Sequence, residues 1–448
     1  MIKNALRNIG CTLTGTNVAK EYREISNISD HDELQTFIKL RLNDLLLHAY
    51  QHTQYYHEVF DRIDIVQGNH VDVSRIHEIP LLTKEIIRQR HEDLISDDFK
   101  IRGWFHNTSG GSTGEPVRLI QDRQFWRWAR ATNNYYYKNI LNIDEPIVKK
   151  IIIWGSERDL FKGTLGSKAK ITNWLKNTIT LNSFRMTPKD IERYINTINT
   201  YKPDLIRGYA GSLHEICRYA ERNNLDVYSP KVVVSAAETL TDEMRDQIER
   251  VFGRKLYNFY GSREVSNLAG ECEDGLMHSF AFWNYQELLD KHNRPVKQGE
   301  EGKVVVTNLF NYSMPLIRYE IGDMAVLGPE HCSCGNVLPT FEKITGRITD
   351  HFILKNGATV PAEFFIHLLG VVCNAGEIKQ FQVIQEDYDR IRILVVMGAG
   401  LTEEYRKNVE NKIKVAVGSD CKIAWDFVDG IPKTPTGKYL YTKSLVRR

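Results

Sequence analysis

Apolar residues recur at helical spacing through the first hundred positions. Leu34, Phe37, Ile38, Leu40, Leu42, Leu45, Leu46 and Leu47 form one stripe, and Tyr55, Tyr56, Val59 and Phe60 a shorter one. Pro80 interrupts the pattern, and Thr83 followed by Glu85 reads as the start of another helix. Residues 117–121 read as a strand after a glycine-rich turn. Residues 122–140 read as a helix crowded with Phe125, Trp126, Trp128, Tyr135, Tyr136 and Tyr137. Three consecutive tyrosines point to different faces of a helix, which predicts that some of the rings are exposed.

Strands and helices then alternate. The pattern predicts strands at 150–154, 205–209, 231–235 and 256–259, and helices at 188–200, 213–223 and 241–252. Short connections between them imply parallel βαβ units. After Gly302 the texture becomes β, with strands expected at 303–307, 316–319 and 325–327. Past about residue 348 a separate unit is expected, with strands at 380–384, 390–396 and 422–428 and a helix at 402–417. The expected fold class is α/β. A large core (1–347) combines parallel βαβ sheets with a β-rich subdomain, and a small mobile α+β lid (348–448) follows.

Composition narrows the function. The chain has 448 residues, 59 Lys+Arg against 57 Asp+Glu (net +2), 42% hydrophobic and 26% charged residues. Such a chain is not disordered, and it lacks the basic excess of a nucleic-acid-coating protein. The apolar run Ile393–Val396 is far below the roughly 18 residues of a membrane span. Arg7 and Asn8 interrupt the N-terminal stretch, so no secretory signal is expected. Seven scattered cysteines argue against a disulfide framework and for a reducing, cytoplasmic compartment.

The sharpest local signal is Thr108-Ser109-Gly110-Gly111-Ser112-Thr113-Gly114-Glu115-Pro116. Its glycines allow close backbone approach, and its amides and hydroxyls could surround a polyphosphate. No Lys follows Gly114, so it is not a Walker A loop; a polar hairpin turn is the alternative. Four further segments follow in order: Tyr260-Gly261-Ser262-Arg263-Glu264, Tyr319-Glu320-Ile321-Gly322-Asp323, Gly346-Arg347, and Pro432-Lys433-Thr434-Pro435-Thr436-Gly437-Lys438. Each alone could be a strand-end turn, a linker or a basic tail. Their order and separation are much harder to explain that way.

These motifs resemble those of the adenylate-forming superfamily of acyl-CoA synthetases, luciferases and adenylation domains. The likeness is greatest to the branch of phenylacetate–CoA ligases, coenzyme F390 synthetases and CapK-type proteins. Ile79-Pro80-Leu81-Leu82-Thr83-Lys84, Leu205 to Ser212 and Ser235-Ala236-Ala237-Glu238-Thr239-Leu240 fit that branch too. The resemblance implies an enzyme that joins a carboxylic acid to ATP, giving acyl-AMP and pyrophosphate, and then transfers the acyl group. It implies that Ser109, Gly110, Gly111, Ser112, Thr113 and Gly114 bind the ATP phosphates. Ala237 and Glu238 would border the adenine, with Tyr260 stacked on it and Gly261 and Ser262 beside it. Glu264 would ligate Mg²⁺, Asp323 would take the ribose hydroxyls with Arg347 nearby, and Lys438 would bridge carboxylate and α-phosphate. A lysine and Mg²⁺ suit this chemistry because an attacking carboxylate meets a polyanion. The chain departs from the family pattern at Arg263, where Thr is common, at Glu115-Pro116, and at Thr349-Asp350, where the hinge Asp usually stands one position earlier.

The acid is expected near Trp154, Tyr209, Gly211 and Phe259, whose rings suggest a hydrophobic or aryl acid and are equally ordinary core residues. CoA is the default acceptor of the phenylacetate branch; an amine, a sugar or a separate carrier protein is the CapK-like alternative. A homodimer would fit the branch. A non-catalytic nucleotide-binding regulator is a further alternative, against which Glu264, Asp323 and Lys438 weigh. Cys332-Ser333-Cys334-Gly335, with Cys272 and His278, offers a Cys₃His zinc set. Spacing alone does not join its two halves, and packed reduced cysteines are the alternative. Relatives of the branch carry Cys and His at similar places, which implies a structural Zn²⁺; His331 is a rival ligand.

Overall fold

A computed structural model of the chain describes residues 17–446, apart from 69, 110–116, 156–176, 184–185, 239, 346–351, 356–358, 361–363, 366–367, 370–377, 399–400 and 432–440. The N-terminal stripe forms helices as its spacing predicts. α1 (Ala19–Ser26) is followed by α2 (His31–His52), started by Asp30, whose carboxylate accepts the Glu33 N–H at 2.9 Å. Thr53 ends α2 and caps α3 (Gln54–Ile63): its hydroxyl donates to the Ala49 carbonyl at 2.7 Å and accepts from the Tyr56 N–H at 3.3 Å. Thr83 caps α4 (Lys84–Gln89) as expected.

The glycine-rich segment joins β1 (Phe105–Thr108) and β2 (Arg118–Gln121) of an antiparallel hairpin. Asp122 then caps α5 (Arg123–Tyr135), which runs into a π-helical turn, Tyr136–Ile140. The expectation of exposed tyrosines is wrong here. Tyr135, Tyr136 and Tyr137 are all buried, because aromatic layers converge on this turn. Tyr135 packs on Phe282, and Tyr136 lies between Phe259 and Phe280 and against Tyr137. Gly270 makes room, since a Cβ there would lie 2.3 Å from the Tyr136 ring.

The centre is one eleven-stranded sheet. Its strands are β3 (Lys150–Trp154), β4 (Thr178–Asn182), β5 (Leu205–Tyr209), β6 (Val232–Ala236), β7 (Leu256–Ser262), β8 (Ser266–Glu271), β9 (Met277–Ser279), β10 (Asn284–Leu289), β11 (Glu301–Asn308), β12 (Tyr319–Leu327) and β13 (Thr340–Ile344). The spatial order is β10-β11-β12-β13-β9-β8-β7-β6-β5-β3-β4. The half from β4 to β7 is parallel and the half from β8 to β10 antiparallel. The expected parallel and β-rich parts are therefore one continuous sheet, hinged at β7. The strands expected at 316–319 and 325–327 are one strand that starts only at Tyr319. Tyr319 to Asp323 thus opens a strand instead of ending one, and Tyr260 to Ser262 lies inside β7.

α6 (Pro188–Tyr201), α7 (Ala210–Arg222) and α8 (Asp242–Phe252) cover one face of the parallel half, over Ile151, Ile153, Ile206, Val233 and Leu256. The N-terminal helices and α5 cover the other face. In the C-terminal part, β14 (Ile378–Asp387), β15 (Arg390–Met397), β16 (Lys422–Phe427) and β17 (Thr442–Ser444) form a separate sheet in the order β16-β15-β14-β17, with α9 (Glu403–Val417) started by Thr402. Its apolar cluster, containing Phe364, Phe365, Val383, Ile393 and Tyr441, also takes in Tyr209 from the large sheet. The expected boundary after residue 347 falls outside the described residues.

Candidate functional site

Five of the expected nucleotide-site residues gather where the parallel and antiparallel halves meet. β7 is the seam, and the turn after it carries Arg263 and Glu264. The turn is sharp: Gly261 passes so close to β8 that a Cβ would lie 2.7 Å from the Ser266 carbonyl oxygen. The Ser262 hydroxyl accepts the Val265 N–H at 3.2 Å, and Ser266 takes a left-handed φ of 60°.

The glycine-rich hairpin is stitched to this turn by side-chain amides. Asn107 donates to the Arg263 carbonyl at 2.9 Å, and Gln121 donates to the Glu264 carbonyl at 2.9 Å. Ser109 sits at the hairpin base, buried, where its hydroxyl accepts the Val117 N–H at 3.0 Å. Ser109 therefore shapes the loop. Gly110, Gly111, Ser112, Thr113 and Gly114 lie outside the described residues, as do Arg347 and Lys438.

Glu264 is buried, 6% exposed. Lys84 Nζ lies 3.7 Å from it, and the Tyr319 hydroxyl donates to it at 3.4 Å. Lys84 arrives there because the chain before α4 pairs with the start of β12: the Leu82 N–H donates to the Arg318 carbonyl and the Glu320 N–H to the Leu82 carbonyl, both at 2.9 Å. The sequence reading gave Lys84 no role, although Ile79 to Lys84 was among its motifs. Asp323 follows Gly322 (φ 93°) at a bulge in β12, where the register against β11 shifts. The bulge aims Asp323 at β7, and the Tyr260 hydroxyl donates to its carboxylate at 2.8 Å. Ala237 follows β6 with a left-handed φ of 69°, beside the β7 residues that lead to Tyr260. Glu238 turns to α7, where its carboxylate accepts the Gly211 N–H at 2.6 Å, as suits a helix N-terminus.

The expected acid residues line up across the carboxyl ends of the parallel strands, where open α/β sheets hold their ligands. Tyr209 is paired with Ala236, and Ala236 with Phe259. Trp154 lies beside Tyr209, with ring centroids 4.3 Å apart. Arg207 stands two residues earlier on the same face of β5. Its guanidinium packs 4.7 Å from the Phe259 ring centroid and 5.7 Å from that of Trp154. The sequence reading missed it. The available signal was a lone charge in an apolar strand, Leu205-Ile206-Arg207-Gly208-Tyr209.

The four cysteine and histidine candidates come together from two distant segments. Cys272 and His278 flank the β8–β9 turn, which closes through Gly275 (φ 87°). Cys332 and Cys334 lie in the β12–β13 connection, closed through Gly335 (φ 77°). The Cys272 and Cys332 sulfurs are 3.7 Å apart, and Cys334 Sγ lies 3.2 Å from His278 Nε2. All four donor atoms lie within 4.8 Å of one another. A tetrahedral zinc with Zn–S bonds of about 2.3 Å places two sulfurs about 3.8 Å apart, so the set fits that ion. His278 Nδ1 lies 3.2 Å from the Leu338 carbonyl oxygen, a partner that leaves Nε2 facing the sulfurs. His331 is exposed and outside the group.

The profile of the CapK C-terminal domain matches residues 352–444. Protein CapK of Staphylococcus aureus is 24% identical over 440 residues, covering 93% of this chain and 90% of its own. A phenylacetate–coenzyme A ligase of Escherichia coli (strain K12) is 25% identical over 352 residues, covering 74% and 75%. Among solved structures, a 2-hydroxyisobutyryl-CoA ligase in complex with its acyl-AMP and CoA superposes with a TM-score of 0.59 at 19% identity, over 91% of this chain and 89% of that one. No described helix is long and apolar enough to cross a membrane.

Proposed function

We propose that this chain, which stands in the CapK and phenylacetate–CoA ligase-like branch of the adenylate-forming superfamily, activates a carboxylic acid with ATP. The products of the first step are an acyl-adenylate and pyrophosphate, and the acyl group then passes to a thiol, with CoA the first candidate. The observation that carries this reading is the convergence of Glu264, Lys84, Tyr260 and Asp323 on one seam, stitched to the glycine-rich hairpin. Those groups come from three separate segments, at Lys84, at Tyr260 to Glu264 and at Asp323.

Each residue has a definite part. Asp323 only accepts hydrogen bonds when ionised, which suits a ribose diol. The Glu264 carboxylate supplies one hard oxygen, which is what Mg²⁺ takes from protein when nucleotide phosphates complete its shell. Bound Mg²⁺ would offset phosphate charge as the carboxylate approaches. Lys84 beside Glu264 holds a second positive charge at the same place, and Lys438 would bring a third from the C-terminal unit. Cys272, His278, Cys332 and Cys334 would hold a Zn²⁺ that clips two loops; four protein ligands leave it no open position, so its part is structural. A CapK-like acceptor, an amine, a sugar or a carrier protein, is the second reading, favoured by the match to the CapK C-terminal domain. The chain is read as cytoplasmic, and a homodimer is compatible with this reading.

The test is acid-dependent exchange of labelled pyrophosphate into ATP, with Lys438→Ala as control. Exchange with one acid class that falls about a hundredfold or more in the variant is expected. Exchange that survives in the variant would remove Lys438 from the mechanism, and ATP binding without exchange for any acid would favour the regulatory alternative.

A further inference from the structure

The row of residues where the acid is expected has a cation beneath it. Trp154, Tyr209, Ala236 and Phe259 form a row at the carboxyl ends of β3, β5, β6 and β7, and Ala236 leaves the middle of that row low. Arg207 lies beneath it on the same face, its guanidinium held between the Phe259 and Trp154 rings. Among the described residues no carboxylate pairs with it. Its hydrogen bond to Asn133 is long, Nη1 to Oδ1 at 3.5 Å, and its Nε is buried without an acceptor in range. The buried Tyr137 hydroxyl, in the π-turn, lies beside the same guanidinium and has no other polar partner. Burial pushes the Tyr137 phenol up, so it stays a donor.

A partly buried charge with no counter-charge is costly to keep. Other deep arginines among the described residues are matched: Arg318 by Glu287, Arg245 by Glu271 and Arg218 by Glu215. Aromatic faces offset part of the cost for Arg207, but they supply no hydrogen-bond acceptor. Purely aryl or alkyl acids would leave the guanidinium with no anionic partner.

We propose that Arg207 selects an acid carrying a second carboxylate, which it binds at the pocket floor while the first carboxylate is activated at the seam. The inference rests on the acid-activating reading and gives it a substrate class. An Arg fork matches a carboxylate in two parallel hydrogen bonds, and Tyr137 adds a neutral donor. The π-turn that brings Tyr137 over β5 is a feature found often at functional sites.

Matched acid pairs test this: hexanoate against adipate, and phenylacetate against 4-carboxyphenylacetate. Each is measured by pyrophosphate exchange and by calorimetric titration onto the whole protein, wild type, Arg207→Met and Arg207→Lys. The diacid of at least one pair is expected to be preferred by about a hundredfold or more, the discrimination a built hydrogen-bonding site gives. Arg207→Met is expected to abolish that preference through KM, and Arg207→Lys to keep part of it. A role confined to packing would change unfolding midpoints and leave the preference intact. Preference for the neutral acid in every pair, or a diacid preference unchanged in Arg207→Met, overturns the inference while leaving adenylation standing. Without exchange for any acid, titration decides alone: diacid binding lost in Arg207→Met supports the inference, and no diacid binding overturns it. Should Arg207→Met fail to fold, Arg207→Lys and Tyr137→Phe carry the comparison.

Discussion

Arg318→Met should be among the most damaging single changes in this protein, and the structure sets the size of the effect. Arg318 is 3% exposed. Its Nε and Nη2 donate to the two Glu287 oxygens, each at 2.9 Å, and its Nη1 donates to the His77 and Ile79 carbonyls, each at 2.7 Å. One guanidinium therefore joins β12 and β10 to the segment that delivers Leu82 and Lys84. Removing it strands a nearly buried carboxylate, a loss of about 3–5 kcal/mol. The two orphaned carbonyls raise the expected total to about 5 kcal/mol, since each bond to a charged donor contributes about 1.5–3 kcal/mol without full additivity. Against a typical stability of about 5–15 kcal/mol that loss approaches unfolding. Urea denaturation followed by tryptophan fluorescence measures it, as a midpoint at constant slope, or as an unfolding rate if refolding fails. Arg318→Met with Glu287→Met should be less damaging than Arg318→Met alone, because the stranded charge is gone. A single variant within 1 kcal/mol of wild type, or a double variant worse than the sum of the singles, would refute this account.

Four further outcomes are expected. His48, buried beside Arg102, His52, Asp98 and Tyr312, has its pKa lowered to about 4 by burial and the guanidinium; the unfolded chain then takes up the proton first, so stability present above pH 6.5 is lost as pH falls toward 4, and His48→Gln should flatten that slope in denaturation midpoints measured across pH. His278→Ala should lower bound zinc, read by elemental analysis of the purified protein, from one ion per chain to well below one, and should lower the melting temperature. Asp323→Asn should raise KM for ATP by about tenfold to a hundredfold, the loss of charge-assisted hydrogen bonds to ribose, as steady-state exchange kinetics would register. Gly270→Ala should cost about 1–3 kcal/mol by displacing the Tyr136 ring, and a melting point equal to wild type would count against the aromatic layering described for the π-turn.

The parallel half of the sheet was legible because its strands are short apolar runs separated by well-capped amphipathic helices. β8, β9 and β10 were not. Ser266 to Glu271 and Asn284 to Leu289 mix polar residues into both faces, which neighbours bury: Asn284 donates to the Val265 and Asn267 carbonyls inside the core. No local pattern announces a polar side chain that bonds to a distant strand. The tyrosine triplet misled for a related reason, since an α-helical wheel cannot foresee a π-turn meeting aromatic layers. At the site, motif residues were legible through their order along the chain, and the cysteine–histidine group through residue type. Arg207 and Lys84 were not, because their importance lies in what lies opposite them: two rings in one case, Glu264 in the other.

Tyr209 belongs to two neighbourhoods, the row proposed to receive the acid and the apolar cluster of the C-terminal unit. A lineage exploring new acids would therefore find this position entangled. Any replacement that widens the pocket also disturbs packing around Phe364, Phe365 and Tyr441. Phe259 is tied instead to the core aromatics Tyr136 and Phe280, whereas Arg207 belongs to neither cluster. In an alignment of relatives, Tyr209 should covary with residues of the C-terminal unit, whereas changes at Arg207 should follow the acid each lineage consumes.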